Sequence, residues 1–181
     1  MPATPSSVNR SGQVALVTGA SRGLGRSMAE ALGRSGAKVA CAARSADKLA
    51  ETVAAVTAAG GEAAAFPCDV TNSESVNSCV DAVLQKWEKI DILVNNAGIT
   101  KDTLLLRMDD DQWDDVLGTN LKGAFLVARS AAKAMLQARY GRIINITSVV
   151  GFMGNPGQAN YAASKAGMIG FTKTVARELG Q

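Results

Sequence analysis

The sequence predicts a doubly wound, parallel α/β sheet, and three observations lead to it. Short apolar runs recur without polar alternation, as in strands buried on both faces. Longer stretches with helical spacing separate these runs. A glycine-rich turn, Thr18-Gly19-Ala20-Ser21-Arg22-Gly23-Leu24-Gly25, follows the first of them.

The elements follow in order. Residues 14–18 form a buried strand, and residues 24–34 a helix ended by Gly36. Residues 38–42 are a strand, and 46–59 a helix stopped by Gly60 and Gly61. Residues 63–68 are a third strand, and 73–87 a helix that either Thr71 or Asn72 can cap. Residues 91–95 are a fourth strand. Residues 109–117 make a short helix whose early aspartates suit the helix dipole. A long helix over 121–138, a fifth strand over 142–147 and a last helix over 158–179 complete the chain. Right-handed crossovers wind such units onto both faces of one sheet. The strand at 142–147 is then expected at or near an edge, because a doubly wound nucleotide domain commonly has a sixth strand and five are counted before Gln181.

Composition narrows the class. The chain has 181 residues, enough for one core, and is 47% hydrophobic but only 4% aromatic, so Ala, Val, Leu and Ile must build that core. Residues 1–11 are polar and read as a disordered lead-in, and residues 12–181 as the domain. The 19 basic and 16 acidic residues leave a net charge of +3, too small and scattered to argue for nucleic acid or a membrane surface. Three cysteines without a Cys-x-x-Cys spacing fit a reducing, cytoplasmic compartment. With no histidine in the chain, proton transfer falls to tyrosine and lysine.

The glycine turn reads as a phosphate cradle. Gly19 supplies backbone angles closed to other residues, Gly23 and Gly25 allow close approach, and helix amides face the pyrophosphate. Arg44 and Ser45 stand after the second strand, where an acid would hold a free ribose. Arg44 and Arg22 can instead meet a 2′-phosphate, which favours NADP over NAD. Asp69 can accept from an adenine amino group or serve as a capping or loop aspartate. Asn95, Asn96, Ala97 and Gly98 end the fourth strand at the ligand-binding edge, and the last two offer little bulk against a ribose. Tyr161 and Lys165 share a helix face. A free phenol holds its proton to about pH 10, and a nearby ammonium eases its release. Tyr161 can thus protonate a carbonyl oxygen, Ser148 can hold that oxygen, and Asn120 can hold a water linking Lys165 to solvent. The aspartates at 109, 110, 111, 114 and 115 read as a solvated helix start rather than a metal site, since helical spacing spreads them over several faces.

At these residues the chain resembles the short-chain dehydrogenase/reductase family, a Rossmann-fold group, from about Gly12 to its last residue. Within it the likeness is to the 3-oxoacyl-[acyl-carrier-protein] reductase branch. The runs Asn-Asn-Ala-Gly-Ile-Thr-Lys-Asp at 95–102, Gly-Arg-Ile-Ile-Asn-Ile-Thr-Ser-Val-Val-Gly at 141–151 and Gly-Asn-Pro-Gly-Gln-Ala-Asn-Tyr-Ala-Ala-Ser-Lys at 154–165 carry it. The resemblance implies catalysis by Asn120, Ser148, Tyr161 and Lys165. It implies that NADP(H) is held by Gly19, Ser21, Arg22, Gly23, Leu24, Gly25, Arg44, Ser45, Asp69, Val70, Asn96, Ala97 and Gly98, with Tyr161 and Lys165, and that no metal is needed. It also implies a 3-oxoacyl thioester substrate on acyl carrier protein, and a homotetramer joined through the helices at 121–138 and 158–179. Arg139 then either meets the carrier or is a solvated arginine. The family's sixth strand, substrate lid and seventh strand would lie beyond Gln181, so the sheet is expected to be C-terminally truncated relative to the family. Two other readings stay open: a reductase or dehydrogenase for another small carbonyl or alcohol, and a non-catalytic fragment that binds only nucleotide or homologous subunits.

Overall fold

A computed structural model describes residues 8–180 of the chain. Its strands are β1 (Val14–Thr18), β2 (Lys38–Ala43), β3 (Glu62–Pro67), β4 (Ile92–Asn95) and β5 (Arg142–Asn145). Its helices are α1 (Gly23–Arg34), α2 (Ala46–Ala58), α3 (Ser73–Trp87), α4 (Asp110–Leu117), α5 (Gly123–Ala138), α6 (Val150–Met153) and α7 (Ala159–Leu179). All strand pairs are parallel, in the order β3-β2-β1-β4-β5. The doubly wound sheet read from the sequence is the fold, and β5 is its edge.

Side chains alternate across the sheet and divide the core in two. Val14 and Leu16 of β1, Ala40 and Ala42 of β2 and Leu93 of β4 pack with α3 and α5. Ala15, Val17, Val39, Cys41, Ile92 and Val94 pack on the other face with Ala29 of α1 and Leu49 and Val56 of α2. Burial pushes the Cys41 thiol up to about 11. Every residue of β1 is buried, as a central strand covered on both faces requires.

Local chemistry sets the boundaries. Asn72, not Thr71, caps α3, its Oδ1 accepting from the Ser75 amide at 2.9 Å. Asp109 and Gln112 close a capping box on α4, and Asp115 pairs with Lys101, so two of the clustered aspartates have structural partners. The third strand runs one residue earlier than the sequence suggests and stops at Pro67, which pairs with Ala43 on the outer edge of the sheet. Between α4 and α5 the chain makes a π-helical turn, Gly118–Lys122, closed by the Gly123 amide donating to the Gly118 carbonyl. The sequence reading continued a regular helix through its second half. The short helix α6 and a 3₁₀ turn at Leu105–Arg107 also have no counterpart in that reading. Of the lead-in at 1–11, residues 1–7 lie outside the described residues, and the Arg10 amide donates to the Ser35 carbonyl at 2.6 Å.

Thr18, at the carboxyl end of β1, receives the amides of Asn96 (3.0 Å) and Ala97 (3.1 Å) on its Oγ1 and donates to the Val94 carbonyl at 3.3 Å. Around the edge strand β5 lie two cavities. One of about 700 Å³ is lined by Met135, Ile143, Val175 and Leu179 among others, and one of about 430 Å³ by Met28, Leu32, Val94 and Ile144 among others. Among the described residues no helix is long and apolar enough to cross a membrane.

Thr18 is 2% exposed, so removing its hydroxyl strands two amides away from water. Thr18→Val, close in shape, is expected to lower the free energy of unfolding by about 1–3 kcal/mol, measured by urea titration. An unchanged transition midpoint would show that water replaces the hydroxyl.

Candidate active site

The strand order reverses between β1 and β4, and the crevice of a doubly wound sheet opens at such a point. Its walls are the glycine turn after β1 and the loop after β4. Gly19 has φ +64°, and a Cβ on it would stand 2.9 Å from the Ala97 Cα. A Cβ on Gly25 would collide with the Gly19 carbonyl oxygen and lie 2.6 Å from Asn96 Nδ2. Asn96 Nδ2 itself donates to the Thr18 carbonyl at 2.9 Å. The two walls thus touch, and α1 starts directly on the turn. Its first turn carries no acid, and Arg22 at its cap makes no side-chain bond to it, which leaves the leading amides available to an anion. Ser21 is half-buried, while Arg22, Gly23 and Leu24 are exposed. This is a cradle that fits a dinucleotide pyrophosphate.

Arg44 and Ser45 follow β2 and are exposed, Ser45 standing at the amino cap of α2. Asp69 lies beside them after β3. Its Oδ1 accepts from the Thr71 hydroxyl at 2.7 Å and the Thr71 amide at 2.9 Å. These bonds hold the carboxyl below its usual value, and the Arg44 guanidinium adds to the effect. Asp69 therefore builds its own loop, with part of its carboxylate still unused. Val70 is buried under the start of α5, where a Cβ on Gly123 would come within 2.9 Å of it.

Asn120 sits in the π-turn and is fully buried. Its Oδ1 accepts from the Ile99 amide at 2.8 Å, and its Nδ2 donates to the Ile99 carbonyl at 3.0 Å and to Ser164 Oγ at 3.1 Å. Gly98 is small because of this: a Cβ there would lie 3.1 Å from Asn120 Oδ1. Both amide hydrogens of Asn120 are spent on protein, bonds that the sequence does not reveal. Ser148, past the end of β5, accepts the Val150 amide at 3.2 Å. The segment that carries it is bound to α7 at three points. Lys165 Nζ donates to the Ile146 carbonyl at 2.7 Å, Thr147 Oγ1 donates to the Lys165 carbonyl at 2.8 Å, and Gly151 packs so tightly that a Cβ would reach within 2.9 Å of Ala166 N. Lys165 Nζ lies 5.6 Å from the centroid of the Tyr161 ring. Burial pushes the Lys165 ammonium below the usual lysine value.

The structure thus gathers the predicted residues at the carboxyl ends of the strands in three groups: the glycine turn, the loops after β2 and β3 with Arg44 and Asp69, and the Ser148–Tyr161–Lys165 corner with Asn120 behind it. Arg139 is not among them. It precedes the start of β5, at the amino-terminal ends of the strands, exposed and left-handed at φ 49°. Neither cavity beside β5 includes the Ser148–Tyr161 corner. Asn160, Ser164 and Gly151 escaped the sequence reading; their signal was there only as polar and small positions within a helical pattern.

Comparison with known proteins agrees with this geometry. The family model described as short chain dehydrogenase matches residues 13–181. The 3-oxoacyl-[acyl-carrier-protein] reductase of Synechocystis sp. is 55% identical over 168 residues, covering 92% of this chain and 68% of that protein. The FabG reductase of the same description from Escherichia coli K12 is 48% identical over 172 residues, covering 95% of this chain and 69% of that protein. A metagenomic short-chain oxidoreductase solved in complex with NADP superposes with a TM-score of 0.91 at 42% identity, over 97% of this chain and 79% of that one. An NAD⁺-bound xylitol dehydrogenase superposes with a TM-score of 0.92 at 36% identity, over 94% of this chain and 66% of that one.

The lysine gives a pH signature of its own. The folded state binds the Lys165 proton less tightly than the unfolded chain, so between the lowered folded value and the ordinary value of 10.5 the unfolded chain holds more protons. Stability contributed by Lys165 therefore rises with pH across that alkaline window. Urea titrations at neutral and alkaline pH should show the wild-type chain gaining on Lys165→Met as pH rises. A pH-independent difference would mean that the ammonium is not desolvated.

Proposed function

The chain belongs to the short chain dehydrogenase family, and on that footing we propose that it reduces a 3-oxoacyl thioester, carried by acyl carrier protein, to the 3-hydroxyacyl thioester with NADPH. The observation that carries the reaction type is the Lys165 ammonium, buried and tied to the Ile146 carbonyl, 5.6 Å from the Tyr161 ring centroid. The identities of 48–55% to 3-oxoacyl-[acyl-carrier-protein] reductases support the substrate.

NADPH supplies the hydride that reaches the carbonyl carbon. Gly19, Ser21, Gly23, Leu24 and Gly25, with the amides of α1, hold the pyrophosphate; Asn96, Ala97 and Gly98 flank the neighbouring ribose. Arg22 and Arg44 meet the 2′-phosphate through their planar guanidinium groups, Ser45 closes that corner, and Asp69 and Val70 bound the adenine. The Tyr161 hydroxyl protonates the substrate oxygen as negative charge develops there, and the Ser148 hydroxyl donates a hydrogen bond to the same atom. Lys165 stabilises the phenolate left behind and reaches a ribose hydroxyl. Asn120 accepts a hydrogen bond from a water that links Lys165 to solvent, the route by which the proton is replaced. The same reading puts the activity in fatty acid synthesis in the cytoplasm. It also makes α5 and α7 the faces of a homotetramer; within one chain Phe125 and Phe171 meet edge to face at 6.4 Å on these helices, with Arg129 over Phe125.

Purified chain should oxidise NADPH on addition of acetoacetyl thioester, and Tyr161→Phe should lower kcat by about 10²–10⁴-fold. A Tyr161→Phe protein that keeps most of its turnover sinks the mechanism, and preference for a simple ketone or xylulose over the thioester sinks the substrate. Arg44→Ala should raise the KM for NADPH about tenfold and leave that for NADH unchanged; equal effects on both cofactors would remove Arg44 from the phosphate.

A further inference from the structure

Tyr161 is the third residue of α7, in the turn of a helix where order is hardest to keep. That start lacks the usual supports. Gln158 at the cap makes no side-chain bond to the helix, and the first turn holds no acid. Two fully buried polar side chains stand in their place. Asn160 accepts the Tyr161 amide on Oδ1 at 2.7 Å, and its Nδ2 donates to the Lys101 carbonyl at 3.1 Å and the Gln112 carbonyl at 2.9 Å. One amide group thus joins α7 to the loop after β4 and to α4. Ser164 Oγ donates to the Tyr161 carbonyl at 2.8 Å, as helix hydroxyls often do, but it also accepts Asn120 Nδ2 at 3.1 Å. Asn120 in turn grips both backbone groups of Ile99. The amide of Tyr161 is fixed through Asn160 and its carbonyl through Ser164. All amide and hydroxyl hydrogens of these three side chains are used, so losing any one member leaves a buried partner unpaired.

We propose that Asn160 and Ser164 are positioning residues for the proton donor: together they lock the first turn of α7 onto α4, the π-turn and the loop after β4, and so fix where the Tyr161 hydroxyl points. Their effect on turnover rests on the reductase reading above; their effect on the tyrosine ring does not. Neither residue touches the reacting atoms in this scheme. Their cost when lost is misplacement, for which an error of about 1 Å is worth roughly 10²-fold in rate.

The chain has two tyrosines, Tyr140 and Tyr161, which makes the ring directly observable. Fluorotyrosine-labelled chain should give two fluorine NMR signals, assigned with Tyr140→Phe. In Ser164→Ala and Asn160→Ala the Tyr161 signal should shift and broaden while the Tyr140 signal stays. kcat with acetoacetyl thioester should fall at least tenfold, and the KM for the thioester should stay within about twofold. Ser164→Thr, which keeps the hydroxyl, should restore the signal and most of kcat. If Asn160→Ala does not fold, Ser164→Ala carries the test, since alanine is smaller and favours the helix. An unmoved Tyr161 signal in folded Ser164→Ala overturns the proposal whatever the rate does. A wild-type chain without turnover whose Tyr161 signal still moves in the variants overturns the reductase reading and leaves the lock standing.

Discussion

Where β1 and β4 lie side by side their chains must leave in different directions, one into the glycine turn and α1, the other toward α4. Backbone groups at such a parting lose the ladder that satisfied them within the sheet. Thr18 resolves the problem with a single hydroxyl, which takes two amides of the departing β4 chain and gives its proton to a third backbone group. Asn96 answers from the other side by donating to the Thr18 carbonyl. The crevice is open because these two residues keep it apart at its lip and joined at its root. The packing of Gly25 against Gly19, the start of α1 and the course of residues 96–99 toward Asn120 all follow from that junction.

Behind the crevice polar side chains tie β4, β5 and α7 together, from buried Asn95 through half-buried Asn145 to exposed Thr172. Asn95 Nδ2 bridges β4 to Asn145 Oδ1 at 2.9 Å and to the Ala124 carbonyl at 3.2 Å, and Asn145 Nδ2 reaches Thr172 on α7 at 2.9 Å. The group is not fully paired: Asn95 Oδ1 is buried without a partner, and an unpaired buried acceptor is costly. Lys165 is a misfit of another kind. Its hydrogen-bond partner is a carbonyl, not a carboxylate, although it is only 5% exposed. A buried cation without an anion opposes folding, and misfits of that sort concentrate where chemistry is done.

The strands, the glycine turn and the Tyr–Lys pair were legible in the sequence because each rests on a periodicity or on a residue with no substitute. Short apolar runs between helical stretches mark the strands, the central ones covered on both faces, and Gly19 at φ +64° has few alternatives. The π-turn was not legible, since one inserted residue in a continuing helical pattern leaves no mark in composition. Nor were Asn120, Asn160 and Ser164 legible as core residues. Polar residue types are read as exposed by default, and only the tertiary structure shows that each is fully buried. Asp69 and the choice between Thr71 and Asn72 turned on hydrogen bonds two or three residues away, which sequence permits but does not choose.

Tyr161 and Lys165 are one helical turn apart on the same rigid rod, whereas Ser148 and Asn120 come from separate segments. The spacing of the two backbone positions is therefore fixed by helix pitch, and thermal breathing of the sheet leaves it unchanged. What breathing alters is the aim of that pair as a unit. Drift in the loops would leave the phenol and the ammonium in register with each other, and a change in how the rod is seated would re-aim both together.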